Sequence, residues 1–137
     1  MKKDFLTALI SLVGLQGLAQ SSQMIESMSN ARDMRIRGQV EIQATNGGKQ
    51  YTANRLGRAE NDKVMADVAG MGFAMMNDAS IANDGTIFAL ASRGQGSQIQ
   101  LFLILFIGDR KVVLPVVSVS PSKIVFQGGT VEIKSGK

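Results

Sequence analysis

Two spacings of apolar residues divide the chain near residue 35. Before it, apolar residues recur at helical spacing; after it, most stretches alternate apolar and polar residues with the period of two that is typical of half-buried strands. In the first such stretch the apolar set is Ile36, Gly38, Val40, Ile42 and Ala44. Turns rich in glycine separate the stretches, so the pattern predicts about seven strands in four hairpin-like units.

One predicted strand is apolar on both faces. Residues 99–107 (IQLFLILFI) contain Gln100 as their only polar residue, and Gly108-Asp109 then supplies a tight hairpin turn. The run is too short to cross a bilayer as a helix, which takes about 20 apolar residues. A second sheet would cover one face. We expect the other face to be covered by a helix near residues 64–76, by the N-terminal segment, or by a neighbour's copy of that segment.

A helix is predicted from about residue 60 to residue 76, between the first and second hairpin units. Its apolar stripe is Val64, Val68, Met71 and Met75. Gly70 and Gly72 weaken this helix in isolation, so packing against the sheet must stabilise it.

The N-terminal segment begins with Lys2 and Lys3 and continues with an apolar stretch from Phe5 to Ala19. This order resembles an export signal. We expect the segment to be retained as a helix, with an uncleaved targeting or anchor segment as the alternative. The residues expected to contact neighbouring subunits or a membrane are Phe5, Leu6, Leu9, Ile10, Leu12 and Val13.

Together these elements predict an α+β fold that is mainly β. An N-terminal hydrophobic or amphipathic helix precedes a small antiparallel β-sandwich or partly open barrel with one inserted helix. A single jelly-roll is a variant of this expectation. Residues 1–34 form the predicted N-terminal helical arm, and residues 35–137 form one antiparallel β-rich domain that contains the helix at about 60–76.

The composition argues against an enzyme. The sequence has no Cys and no His, which removes thiolate nucleophiles, the commonest general base and the commonest transition-metal ligand. The glycines of residues 93–97 and the acidic and amide residues of 75–85 match neither a phosphate-binding loop nor a calcium loop. We therefore expect a non-enzymatic protein with no catalytic residues, no cofactor and no metal site.

Positive charge is concentrated in one segment. Residues 32–58 contain six basic and two acidic residues, a net of +4, and the whole chain has the same formal net charge of +4. The candidate basic patch is Arg35, Arg37, Lys49, Arg55 and Arg58, on and beside the first predicted hairpin. Such a patch could contact nucleic-acid phosphates, although Tyr51 is the only aromatic residue close to it. A solvated charged face is the simpler interpretation.

The favoured function is a self-assembling structural protein, a minor component of a virion (phage capsid, vertex or tail) or of a surface filament. The hypothesis rests on the poor supply of catalytic residue types and on an apolar arm ahead of a compact β domain, an argument by architecture. The alternatives are a nucleic-acid-binding module that uses the basic patch and a membrane-associated protein anchored by residues 5–19. The expected partners are further copies of the chain and other subunits of the assembly, with contact to lipid or nonspecific nucleic acid as alternatives.

Overall fold

A computed structural model describes residues 23–45 and 47–134. The predicted assembly or membrane contacts from Phe5 to Val13 lie outside the described residues. The α-helices are α1, residues 23–33, and α2, Arg58–Gly70, and a short 3-10 helix covers Gly96–Gln98. The strands are β1 Gly38–Ala44, β2 Gly47–Arg55, β3 Ala74–Met75, β4 Ser80–Ala82, β5 Ile87–Arg93, β6 Gln100–Ile107, β7 Arg110–Ser120, β8 Lys123–Phe126 and β9 Gly129–Ile133.

Eight of these strands close into an antiparallel barrel. Around the barrel the order is β5, β4, β2, β1, β9, β8, β7 and β6, and β6 pairs again with β5. Apart from the inserted α2 and β3, each strand therefore pairs with the next one along the chain, and the pairing of β9 with β1 closes the ring. The short β3 pairs with the same edge of β5 as β4 does, further along that strand.

The prediction of a mainly β, antiparallel fold is confirmed. The predicted sandwich and jelly-roll are wrong, and the barrel that was expected to be partly open is closed. Closure comes from β9, which pairs with residues 40–44 of β1. A closed ring gives every barrel strand a partner on both sides, and the strand edge left unpaired is confined to short stretches such as residues 47–51 of β2 and 110–114 of β7.

Apolar side chains on the inward faces of the barrel strands form the main core. Val40, Phe88, Leu103, Ile124 and Val131 are each 1% exposed or less. An eight-stranded barrel is just wide enough for side chains to fill its interior. The middle of this barrel is therefore a packed core, and the ends and the outer wall remain as places for function.

Helix α1 packs over one end of the barrel, which we call the helical end. The Val119 N–H donates to Ser27 Oγ at 3.1 Å, and Asn77 Nδ2 donates to the Ala31 carbonyl at 2.7 Å. These bonds tie α1 both to β7 and to the connection between β3 and β4. The described part of the predicted arm is thus packed against the barrel. The opposite end carries the turns at residues 108–109 and 127–128, and we call it the hairpin end.

Helix α2 ends at Gly70, so the predicted end at residue 76 is wrong. The Gly72 N–H donates to the Ala69 carbonyl at 3.0 Å and the Phe73 N–H to the Val68 carbonyl at 3.1 Å. These two bonds form a Schellman motif, which requires a residue with positive φ after the helix. Gly72 has a φ of +92° and meets that requirement without strain.

Residues 74–82 contain two strands that the sequence pattern did not predict. β3 has 2 residues and β4 has 3, which is too short for alternation to be recognised. The pattern instead placed Ala74 and Met75 within the predicted helix. Both strands pair with β5, so nine strands replace the predicted seven.

Strand β6 is covered on both faces, as its apolar sequence requires. Leu103 points into the barrel and is fully buried. Phe102 and Ile104 point outward into a second cluster, which also contains Val64 and Val68 of α2. The cover of the second face is therefore the chain's own helix α2, the first of the three expected candidates.

Candidate functional site

The predicted basic patch is divided between the two ends of the barrel. Four of its five residues lie at the helical end, and we call them the arginine cluster: Arg35, Arg37, Arg55 and Arg58. They lie at the same end because β1 begins there, and its antiparallel partner β2 ends there. Lys49 lies near the other end of β2, about 20 Å away at the rise of an extended strand.

The members of the arginine cluster differ in their contacts. Arg35 donates to two backbone carbonyls beside it, at 3.1 and 3.0 Å. Arg55 lies 3.6 Å from the Asp78 carboxylate, and both side chains are exposed, so the pair contributes less than about 1 kcal/mol. Within residues 23–45 and 47–134, no carboxylate oxygen lies within 4.0 Å of Arg37 or Arg58.

Lys49 belongs to a separate group at the hairpin end. Its Nζ lies 3.1 Å from Asp84 Oδ2 and 5.0 Å from the centroid of the Tyr51 ring. The hydrogen bond to Asp84 raises the pKa of Lys49 above its ordinary value of 10.5. The Tyr51 ring packs edge-on against the buried Phe88, with the ring centroids 5.4 Å apart. Tyr51 therefore belongs to the barrel interior and does not offer a stacking surface on the outside of the hairpin.

Ionised Asp84 is expected to stabilise the protein, and this stabilisation should be lost in acid. The Thr86 N–H donates to the carboxylate at 3.0 Å, and this bond, followed by the contact with Lys49, holds the pKa of Asp84 below its ordinary value of 3.8. The stabilisation is complete above the ordinary pKa and disappears as the pH falls through the lower folded pKa. Asp84→Asn should therefore cost less than about 1 kcal/mol at neutral pH and flatten the acid limb of stability measured by urea unfolding.

Asp109→Asn is the matched control for this prediction, because it neutralises another exposed carboxylate at the hairpin end. Equal flattening of the acid limb by the two substitutions would contradict a specific role for the Thr86 and Lys49 contacts of Asp84.

An apolar strip on the outside of β7 forms a second candidate surface. Its residues, which we call the β7 strip, are Val113, Pro115 and Val117. Val113 and Pro115 face outward because they pair with the outward-facing Ile104 and Phe102 of β6. Val113 is 36% exposed and Val117 is 53% exposed. The β7 strip therefore borders the face of β6 that α2 covers, and it is open to solvent.

The sequence contains a signal for this strip. Residues 112–117 (VVLPVV) are apolar at every position, so this strand, like β6, is apolar on both faces. Because side chains alternate between the two faces, only one set can enter the barrel. The other set has to be exposed or covered by another element.

A shallow groove of about 230 Å³ lies on the outer face of β1 and β2. Lys134 Nζ lies 3.0 Å from Glu41 Oε1 at this groove, and this hydrogen bond raises the pKa of Lys134 above 10.5. Because its charges are paired with each other, the groove offers little to a charged ligand. Residues 23–45 and 47–134 contain no group of three or more carboxylates placed to hold a metal ion. In that same part of the chain, no helix is both long and apolar enough to span a membrane.

Comparison of the chain with protein-family models, with curated proteins and with solved structures finds no match. Two surfaces of the barrel therefore provide the functional argument. They are the arginine cluster at the helical end and the β7 strip on the wall.

Proposed function

We propose that the protein is a non-enzymatic, self-assembling structural protein whose subunits contact one another through the β7 strip. The observation that carries the proposal is the exposure of Val113, Pro115 and Val117 on one strand. Isolated apolar residues are ordinary on a protein surface, whereas adjacent ones that form a patch mark contact surfaces. A virion shell, vertex or tail, or a surface filament, is the kind of assembly that we propose.

The closed barrel limits the ways in which subunits could contact each other. Each barrel strand has a partner on both sides over part of its length. Residues 47–51 of β2 and 110–114 of β7 lack a partner on one side, so the edge to which a neighbouring subunit could add a strand is short. Contact would instead use side chains on the barrel wall. The Val and Pro side chains of the β7 strip suit such a contact, because they have little rotamer freedom to lose on burial.

The titratable groups support a role without catalysis. Catalytic groups with perturbed pKa values usually lie in clefts, where burial and neighbouring charges act on them. In this barrel, the groups with shifted pKa values are Lys49, Asp84 and Lys134. All three side chains are at least 36% exposed and engaged in surface ion pairs.

Replacing Val117 with Lys is expected to break the assembly. A charge placed within an apolar contact would lose its hydration without gaining a partner. Mass photometry of the pure protein should show a shift from oligomers to smaller species, with the apparent dissociation constant raised on the order of tenfold or more. Gln50→Lys is the matched control, since Gln50 is exposed on β2 and gains the same charge.

Two results would contradict the proposal. One is a wild-type protein that is monomeric at every concentration measured. The other is an oligomer that Val117→Lys leaves as stable as Gln50→Lys does.

The nucleic-acid alternative has less support. Proteins that bind single strands stack bases on aromatic rings, and Tyr51 packs into the barrel against Phe88. Lys49 is paired with Asp84 at the hairpin end, away from the arginine cluster. The arginine cluster alone is left to contact phosphates.

A further inference from the structure

We propose that the packing of α1 on the barrel is a redox-sensitive contact, with Met24 and Met28 as the residues that respond to peroxide. Conversion of these two thioethers to sulfoxides would release α1 from the helical end of the barrel. The inference goes beyond the proposed function and does not rest on contact through the β7 strip. It depends on the residues with which α1 meets the barrel and on the strand edge that α1 covers.

Methionine is the only large apolar residue on the face of α1 that meets the barrel. This face contains Met24, Ser27, Met28 and Ala31, which recur at the spacing of one helical stripe. Ser27 and Ala31 are buried, and the two methionines are partly buried against the main core. Ile25, the other large apolar residue of α1, is 68% exposed. Two thioether side chains therefore supply the large apolar contacts that hold α1.

Both methionine side chains are open to a small oxidant. Met24 and Met28 are intermediate between buried and exposed, so hydrogen peroxide reaches them from solvent. Met34, which follows α1, is by contrast 3% exposed. A side chain that solvent reaches is oxidised more readily than a buried one, so Met24 and Met28 should react before Met34. The sequence has no Cys, so no thiol of the chain competes for the peroxide.

The reaction is a two-electron oxidation of sulfur by hydrogen peroxide. A lone pair of the methionine sulfur attacks one peroxide oxygen, and the S–O bond forms while the O–O bond breaks. The proton on the transferred oxygen moves to the departing oxygen, which leaves as water. The sulfur is oxidised to a sulfoxide and the peroxide is reduced. Because a sulfoxide is polar, packing it against the apolar core without a hydrogen-bond donor is unfavourable.

Helix α1 covers an edge of β7 that has no strand beside it. The pairing of β7 with β6 ends at Pro115, so within the described residues no strand lies beside residues 116–120 on that side. Ser27 Oγ accepts a hydrogen bond of 3.1 Å from the Val119 N–H, and Asn30 Nδ2 donates one of 2.8 Å to the Val119 carbonyl. Release of α1 would break both bonds and open this strand edge.

Hydrogen exchange of the full chain before and after treatment with hydrogen peroxide tests the proposal, with the oxidised residues identified by mass spectrometry. Oxidation of Met24 and Met28 should accelerate exchange at the Val119 amide on the order of tenfold or more, because this amide loses its acceptor when α1 leaves. The Val131 amide lies in β9 between two paired strands, and its exchange should change by less than about twofold.

Met24→Leu combined with Met28→Leu removes both sulfurs and keeps apolar side chains of similar volume. Peroxide should then change exchange at the Val119 amide by less than about twofold. Met65→Leu is the matched control, since Met65 is 44% exposed on α2 and its loss leaves the contact of α1 intact. In this variant peroxide should accelerate exchange at Val119 as it does in the wild type.

Three results would overturn the proposal, and two of them need no variant to fold. The first is full oxidation of Met24 and Met28 in the wild type with unchanged exchange at the Val119 amide. The second is the absence of oxidation at these two residues under conditions that fully oxidise Met65. The third is equal acceleration by peroxide in the double leucine variant and in Met65→Leu, which would place the damage outside α1.

Discussion

Replacing Ile104 with Ala is expected to lower the free energy of unfolding by about 2–5 kcal/mol, close to the loss from Leu103→Ala. The two residues are neighbours on β6 and point to opposite faces, and each is fully buried. Leu103 packs in the barrel interior, whereas Ile104 packs beneath α2 with Val64 and Val68. Each truncation therefore removes buried methyl groups and leaves a cavity in a different cluster.

Val113→Ala is the matched control, because Val113 pairs with Ile104 across the strands and faces the same side of the sheet. Val113 is 36% exposed, so its truncation should cost less than about 1 kcal/mol. Urea unfolding of the three variants gives the comparison. If Ile104→Ala costs no more than Val113→Ala, α2 does not cover β6 as the structure shows.

The two-faced burial of β6 could be predicted from sequence because it depends on local alternation. The spacing of residues 99–107 assigns each side chain to one face, and both faces are apolar. The closure of the barrel could not be predicted in the same way. It depends on the pairing of β9 with β1, two strands that are far apart in the sequence. Each of these strands alone would have the same pattern of apolar residues in a sandwich and in a barrel.

The end of α2 could be predicted only in part. Gly70 and Gly72 both weaken a helix, but the apolar spacing of Met71 and Met75 continues beyond them. The Schellman bonds that end α2 depend on the positive φ of Gly72. A pattern of apolar residues carries no information on that backbone angle, so the predicted helix was too long.

The four residues of the arginine cluster could be predicted to lie near one another, because they are close in sequence or lie on adjoining elements. Lys49 was assigned to the same patch because it belongs to the same hairpin. A strand of 9 residues, however, places its two ends far apart. The ion pair of Lys49 with Asp84 joins residues that are distant in sequence, and nothing in the local pattern identified Asp84 as the partner.

Replacing Asn61 with Ala is expected to destabilise the protein by about 1–3 kcal/mol. Asn61 is buried at 7% exposure on α2. Its Oδ1 accepts a hydrogen bond of 2.7 Å from the Ala79 N–H, next to the start of β4. Ala79 is itself 1% exposed, so the substitution leaves its N–H without this acceptor in a site that solvent hardly reaches.

Asp62→Ala separates this loss from the gain in helix propensity that accompanies any change to Ala. Asp62 is the next residue of α2 and is exposed, so its replacement gains about 0.5 kcal/mol or less of propensity and loses no buried hydrogen bond. Thermal unfolding should therefore rank Asn61→Ala well below Asp62→Ala, and hydrogen exchange at the Ala79 amide should accelerate only in Asn61→Ala. Equal stability of the two variants would mean that the bond between Asn61 and Ala79 does not hold α2 against the barrel. In that case the cover of β6 would depend on the apolar contacts of Val64 and Val68 alone.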